Sequence, residues 1–213
     1  MSDLLQGVLV FAVVIPAIVF HEVAHGYVAF LLGDPTAKDM GRLSLNPVKH
    51  VDPFGTLLLP AMLTFLGGPV FGYAKPVPIN PRYFRNFRVG MLLTGLAGPA
   101  TNFALAVLAA LVVRLVPVEA SPGAGPVGAA MFILALFCEI NLVLMFFNLI
   151  PIPPFDGSRV IPIFLSDKAL RVYAQVERYG FIIIFGLLFF FRGAVSTYFA
   201  YTVDPVARLL LGF

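Results

Sequence analysis

The sequence predicts an all-α integral membrane protein. The expected architecture is a polytopic helical bundle of about four full spans, with one re-entrant or partial span over residues 54–73. Three observations predict it. Hydrophobic residues make up 60% of the 213 and charged residues 12%, where an average soluble domain carries about 25% charged residues. Several apolar runs reach the ~20 residues that a helix needs to cross the hydrocarbon core. The 14 Lys and Arg lie in short loops between those runs, which is the charge pattern of membrane connectors and excludes a basic nucleic-acid-binding face.

In order along the chain, residues 4–32 form the first expected span, with Pro16 set to kink it just before His21. The start lacks the basic flank and cleavage site of a signal peptide, so this run is expected to be retained as a helix. Gly33-Asp34-Pro35 stops it, and residues 34–53 form a polar connector. The stretch 54–73 is apolar but interrupted by Gly55, Pro60, Gly67, Gly68, Pro69 and Gly72. A basic, proline-broken stretch follows over 74–88. Residues 89–116 are the next span, with small residues at Gly95, Gly98, Ala100 and Ala104 that allow close helix approach. Residues 129–150 form a third span, ended by Pro151, Pro153 and Pro154. Residues 155–178 are amphipathic and basic, and 180–201 form the fourth span. All of this is expected to make one domain, 1–213. Cys138 is the single cysteine, so neither an internal disulfide nor a cysteine-rich zinc module can form.

Two constraints bear on 54–73. If it does not cross, segments 33–53, 74–88 and 151–178 share one side and carry three, four and four Lys or Arg, eleven of the 14. That agrees with the positive-inside rule better than a crossing does. Depth gives the same answer. His21 lies 17 residues into its run, roughly 26 Å into a ~30 Å core at 1.5 Å per residue. A partner for it should therefore come from the side on which 33–53 emerges, and 151–157 is on that side only if 54–73 re-enters. The N-terminus is then outside and the site faces the cytoplasm.

The chemistry centres on His21-Glu22-Val23-Ala24-His25. Residues four apart share a helix face, so both imidazoles can bind one Zn²⁺ with Glu22 beside them. Ionisable groups are costly inside a membrane helix and mark function by default. A catalytic zinc takes three protein ligands and a water. Asp156 is the best third candidate, in Asn148-Leu149-Ile150-Pro151-Ile152-Pro153-Pro154-Phe155-Asp156-Gly157, where prolines force a turn at the membrane boundary. On spacing alone, capping the next turn is an equal alternative. Gly157 allows either close backbone approach or a positive φ. With such a ligand set, Glu22 would be the general base and a peptide bond the target.

Together with Gly98-Pro99-Ala100-Thr101-Asn102 and the segment from Gly41 to Pro53, these motifs resemble the site-2 protease family of intramembrane zinc metalloproteases (peptidase family M50). The resemblance is to its short bacterial and archaeal branch, without a PDZ or CBS domain. It implies one Zn²⁺ per chain held by His21, His25 and Asp156, with Glu22 as catalytic base. It also implies regulated intramembrane proteolysis of transmembrane protein substrates near the cytoplasmic face, in a multi-pass protein of the cell membrane. Asn102 and Asn148 are candidates to bond the substrate strand or the oxyanion, or equally to hold helices together. Glu139 and Arg114 have no evident partner, and His50 is expected to cap a turn in the connector rather than approach the site from the loop. The competing functions are a membrane transporter, which would spread polar groups through several spans, and an inactive metal-binding scaffold.

Overall fold

A computed structural model describes residues 3–65, 72–116 and 125–212. Residues 66–71 of the irregular apolar segment and 117–124 of the neutral loop lie outside the described residues. Among the described residues the secondary structure is entirely helical. Helix α1 (Asp3–Leu31) runs continuously through Pro16. After the short α2 (Thr36–Asp39) and a 3₁₀ turn (Pro47–His50), a π-helical turn (Pro53–Leu58) leads into α3 (Leu59–Phe65). A 3₁₀ turn at Pro81–Tyr83 precedes α4 (Phe87–Leu115), and α5 spans Gly125–Asn148. A 3₁₀ stretch, Asp156–Phe164, is followed by α6 (Asp167–Glu177), α7 (Gly180–Phe190) and α8 (Arg192–Leu211).

Three of these helices are long and apolar enough to cross a membrane: Gly7–Leu31, Phe87–Leu115 and Gly125–Asn148. The expected fourth span over 180–201 is not one helix. It breaks at Phe191 into α7, whose 11 residues reach only about 17 Å at 1.5 Å per residue, and α8, which carries Arg192, Asp204 and Arg208. Glycine at 193 and an arginine beside it interrupt an otherwise uniform apolar run, and periodicity alone did not expose the break.

Polar caps fix the helix starts. The Asn86 side chain accepts from the amides of Arg88 and Val89 to open α4, and Asp52 accepts from Phe54 and Gly55 to open the π turn. The core lies where α4, α5 and α8 meet, with Ala106, Ala109 and Ala110 against Cys138, Leu142 and Val203. Alanines on α4 allow the close approach that Leu142 and Cys138, both fully buried, require.

Contacts fix the directions. Ala17 on α1 meets Asn102 on α4, while His25 meets Thr94, so the two helices are antiparallel. Both the end of α1 and the start of α4 therefore lie at one end of the bundle. There Asp34 meets Asn80, and Arg88 pairs with Asp167. The three basic segments read from the sequence thus contact one another in the fold.

Candidate metal centre

The site forms where α1, α4 and the turn after α5 converge. His21 and His25 project from the same face of α1, and their rings stand nearly perpendicular with centroids 4.6 Å apart. Asp156 arrives from the opposite end of the sequence. Its Oδ2 lies 2.9 Å from His21 Nε2 and 3.0 Å from His25 Nε2, and the two Nε2 atoms are 3.0 Å apart. All three side chains are buried.

Two glycines on α4 make room for this. A Cβ on Gly98 would stand 2.5 Å from both Nε2 atoms, and one on Gly95 would stand 2.9 Å from the Asp156 carbonyl oxygen. The turn carrying Asp156 needs a third glycine. A Cβ on Gly157 would lie 2.3 Å from the Leu149 carbonyl oxygen. Gly157 is not among the positive-φ glycines, so close approach is the reason for glycine there and backbone sign is not.

The far side of each imidazole is fixed. His25 Nδ1 is 2.6 Å from the Thr94 carbonyl oxygen, which can only accept, so Nδ1 carries the proton. His21 Nδ1 is 2.5 Å from Asn102 Oδ1. The Asn102 amide is oriented by its own donors, since Nδ2 reaches the Ala17 carbonyl at 3.3 Å and Asn141 Oδ1 at 2.8 Å. His21 Nδ1 therefore also donates. Both Nε2 atoms are left to face Asp156 with their lone pairs.

Three acceptors this close need a cation or protons among them. Burial works against the charged form of Asp156, but once Nε2 of His21 and of His25 carries a proton, the hydrogen bonds from these rings, with the nearby Arg159 charge, hold its carboxyl well below the usual carboxylate range. A metal ligand has to be deprotonated in this way. The residues fit zinc on three counts. The donor set is two imidazole nitrogens and a carboxylate oxygen. The separations of 2.9–3.0 Å are close to the ~3.3 Å between ligands of a tetrahedral ion bound at ~2.0 Å. Each imidazole donates its other N–H to an oxygen, the usual outer support of a metal-bound histidine.

Glu22 is half-buried beside this group. Its Oε2 accepts a 2.8 Å hydrogen bond from the Val77 amide, and its other oxygen has no hydrogen-bond partner among the described residues. His21, Glu22, Asn148, Asp156 and Arg159 line one cavity of about 410 Å³, which Ala74 also borders. A more open depression lies along α6, away from the histidines.

Of the other sequence candidates, Asn102 is fully buried with both ends of its amide engaged inside the bundle. It backs His21, and of the two roles weighed for it the helix-holding one matches its contacts. Asn148 donates to the Leu144 carbonyl at 2.9 Å and borders the cavity. His50 lies in the connector with Nε2 2.7 Å from the Ser44 carbonyl. Glu139 is exposed on α5. The sequence reading missed Asn141, Thr94, Val77 and Arg159. Only Asn141 left a signal, as an amide in the middle of an apolar span.

The fold and this site together define a class: an all-helical protein with membrane-length apolar helices and a buried His–His–Asp group of zinc-centre composition. Comparison with known sequences narrows it. The chain is 41% identical over 165 residues to "Putative zinc metalloprotease YwhC" of Bacillus subtilis, covering 76% of this chain and 72% of that one. It is 30% identical over 183 residues to "Putative zinc metalloprotease Rip2" of Mycolicibacterium smegmatis, covering 85% of this chain and 66% of the relative. The Rip2 protein of Mycobacterium tuberculosis is 29% identical over 194 residues, with 90% and 70% covered. The chain belongs to the zinc metalloprotease family that these proteins represent. No family model matches it, and no solved structure matches it.

Proposed function

We propose that this chain is an intramembrane zinc endopeptidase of the site-2 protease type. Its substrates would be transmembrane helices, cut near the cytoplasmic face in regulated intramembrane proteolysis. One observation carries the reading: two histidine nitrogens and a carboxylate oxygen lie 2.9–3.0 Å apart on the wall of a cavity that also holds Glu22. The names of the relatives support zinc and peptide-bond hydrolysis.

His21, His25 and Asp156 would hold a single zinc ion. The chemistry that zinc would supply there is a water acidified towards pKa ~7 and a polarised scissile carbonyl. The chain's own residues do the rest. The Asn102 side chain and the Thr94 carbonyl fix the imidazole tautomers, so that both Nε2 atoms point into the site. Glu22 accepts the proton of the attacking water on its unbonded oxygen and delivers it to the leaving amine nitrogen as the C–N bond breaks. Asn148, on the cavity wall, is a donor for the substrate carbonyl.

An intact substrate helix hides its peptide bonds, so the substrate must be extended at the site. Residues 72–80 supply an edge for it. Prolines at 76, 78 and 81 fix φ and restrict the residues before them to extended conformations. Tyr73 and Lys75 direct their amides to Gly55 and His50, which leaves Ala74 bordering the cavity to pair with an added strand. Ala74→Pro should therefore raise KM for a transmembrane substrate, and unchanged cleavage would count against the strand edge.

Antiparallel α1 and α4 return the intervening chain to the end it left. Among the described residues the helical stretch Pro53–Phe65 has 13 residues in two parts. The antiparallel pair supports a re-entrant segment and a site on the side where the basic loops gather. The polar groups collect at one depth, which does not suit a transporter path. The deciding experiment is cleavage of a designed transmembrane substrate by purified protein and by Glu22→Gln. Zinc content should survive that change while cleavage disappears; retained cleavage would sink the mechanism.

A further inference from the structure

We infer that Asp34 and Arg42 are positioning residues for Glu22, acting through the backbone of residues 75–80. The inference rests on the reading of Glu22 as general base. Among the described residues the Glu22 side chain is held by one hydrogen bond, from the Val77 amide at 2.8 Å. That amide belongs to a segment with no helical or ladder bonds of its own, so something else must hold it still. Asp34 and Arg42 do so from its two ends. Asp34 Oδ2 accepts from the Asn80 amide at 2.6 Å. Arg42 donates to the Lys75 carbonyl at 2.7 Å and to the Pro76 carbonyl at 3.4 Å.

Both residues are charged groups buried at a cost. Asp34 is 0% exposed and Arg42 7%, and neither forms an ion pair among the described residues. A buried charge without a counter-ion persists only where hydrogen bonds compensate it. Asp34 has three such bonds, two to Thr36 and one to Asn80, while the described side-chain bonds of Arg42 run from one guanidinium nitrogen to the 75–76 backbone, its Nε having no partner among the described residues. The Val77 side chain is seated independently. It is 5% exposed and lies over Gly26, where a Cβ would stand 2.6 Å from Val77 Cγ1. Gly26 is one helical turn beyond Glu22 on α1. The seat and the two brackets thus place the Val77 N–H over the Glu22 carboxylate and leave the opposite oxygen for the water. An exposed surface strand would need none of these devices.

The test uses the full zinc-loaded chain in lipid nanodiscs. It compares Asp34→Ala, Arg42→Gln, Val77→Pro and Val77→Ala with wild type for zinc content, for kcat and KM separately, and for amide exchange over 75–80. Prolines leave four amides in that window, and those of Lys75, Val77 and Asn80 have the partners described. Zinc content should hold at the wild-type level throughout. Turnover should fall about 10- to 100-fold in Asp34→Ala, Arg42→Gln and Val77→Pro, with a smaller change in KM. Val77→Ala, which keeps the N–H, should lose much less than Val77→Pro. Arg42→Lys and Asp34→Asn should recover part of the turnover, and exchange should quicken in Asp34→Ala and Arg42→Gln but not in Glu22→Gln. Equal kcat for Val77→Pro and Val77→Ala would overturn the inference. So would a change confined to KM, or a loss of turnover that only follows lost zinc. Cleavage surviving in Glu22→Gln would remove the base assignment itself, a failure distinguished from the others because it needs no change in strand exchange.

Discussion

Replacing Gly98 by alanine adds one methyl group at the place where α4 meets both histidines. In an exposed helix the change would stabilise by roughly 1 kcal/mol, because alanine is the better helix former. Here the new Cβ would stand 2.5 Å from His21 Cε1, His21 Nε2 and His25 Nε2. Comfortable contact between such atoms begins near ~3.5 Å, so the rings or the helix must give way by about 1 Å. Overpacking of that kind costs about 1–3 kcal/mol, and after the helix gain the metal-free chain should lose about 0–2 kcal/mol and stay folded. The metal site is less forgiving, because ligand distances tolerate only about ±0.2 Å. Zinc affinity should fall at least ~100-fold, and cleavage with it. Competition against a chelating dye measures the first, with thermal unfolding alongside to show that the fold survives. Gly7→Ala, with nothing within 4 Å of its Cβ, is the matched control and should bind zinc like wild type. Wild-type zinc affinity in Gly98→Ala would refute the packing argument and the assignment of this group as the metal centre.

Asn102→Ala removes the acceptor behind His21 Nδ1 and should weaken zinc about 10- to 100-fold, read by the same competition; the Thr94 carbonyl behind His25 is backbone and cannot be deleted by substitution. Chelator treatment should lower the melting temperature of wild type and of Glu22→Gln, since zinc present at 100 times its Kd contributes about 2.7 kcal/mol, but should scarcely move Asp156→Ala; an equal shift in all three would remove Asp156 from the ligand set. Arg88→Gln breaks an ion pair whose Asp167 side chain is 87% exposed, and should change stability by no more than about 0.5 kcal/mol in thermal unfolding. Tyr198→Phe deletes a 3.0 Å bond to the Phe146 carbonyl between α8 and α5 and should cost about 1 kcal/mol by the same measurement.

The sequence by itself determined whatever depends on residues near one another along the chain. Apolar length marked the three membrane-length helices, because backbone bonding inside a bilayer forces long uninterrupted helices. The four-residue spacing of His21 and His25 put both imidazoles on one face. The proline-broken turn made Asp156 the first carboxylate to consider, and small residues on α4 announced close packing. The same local logic read 180–201 as one continuous run, where the structure has two helices meeting at Phe191. Only the tertiary structure decided which way the helices turn toward each other. That rotation brings Asp156 to histidines 131 and 135 residues away. It points Asn102 at His21 rather than into the cavity, recruits Asn141 and the Thr94 carbonyl, and lays the Val77 amide on Glu22. Such contacts leave no periodic trace. Each depends on how a whole helix face fits its neighbour, and on α4 that fit turns on Gly95 and Gly98, where one added carbon would occupy the space the site needs.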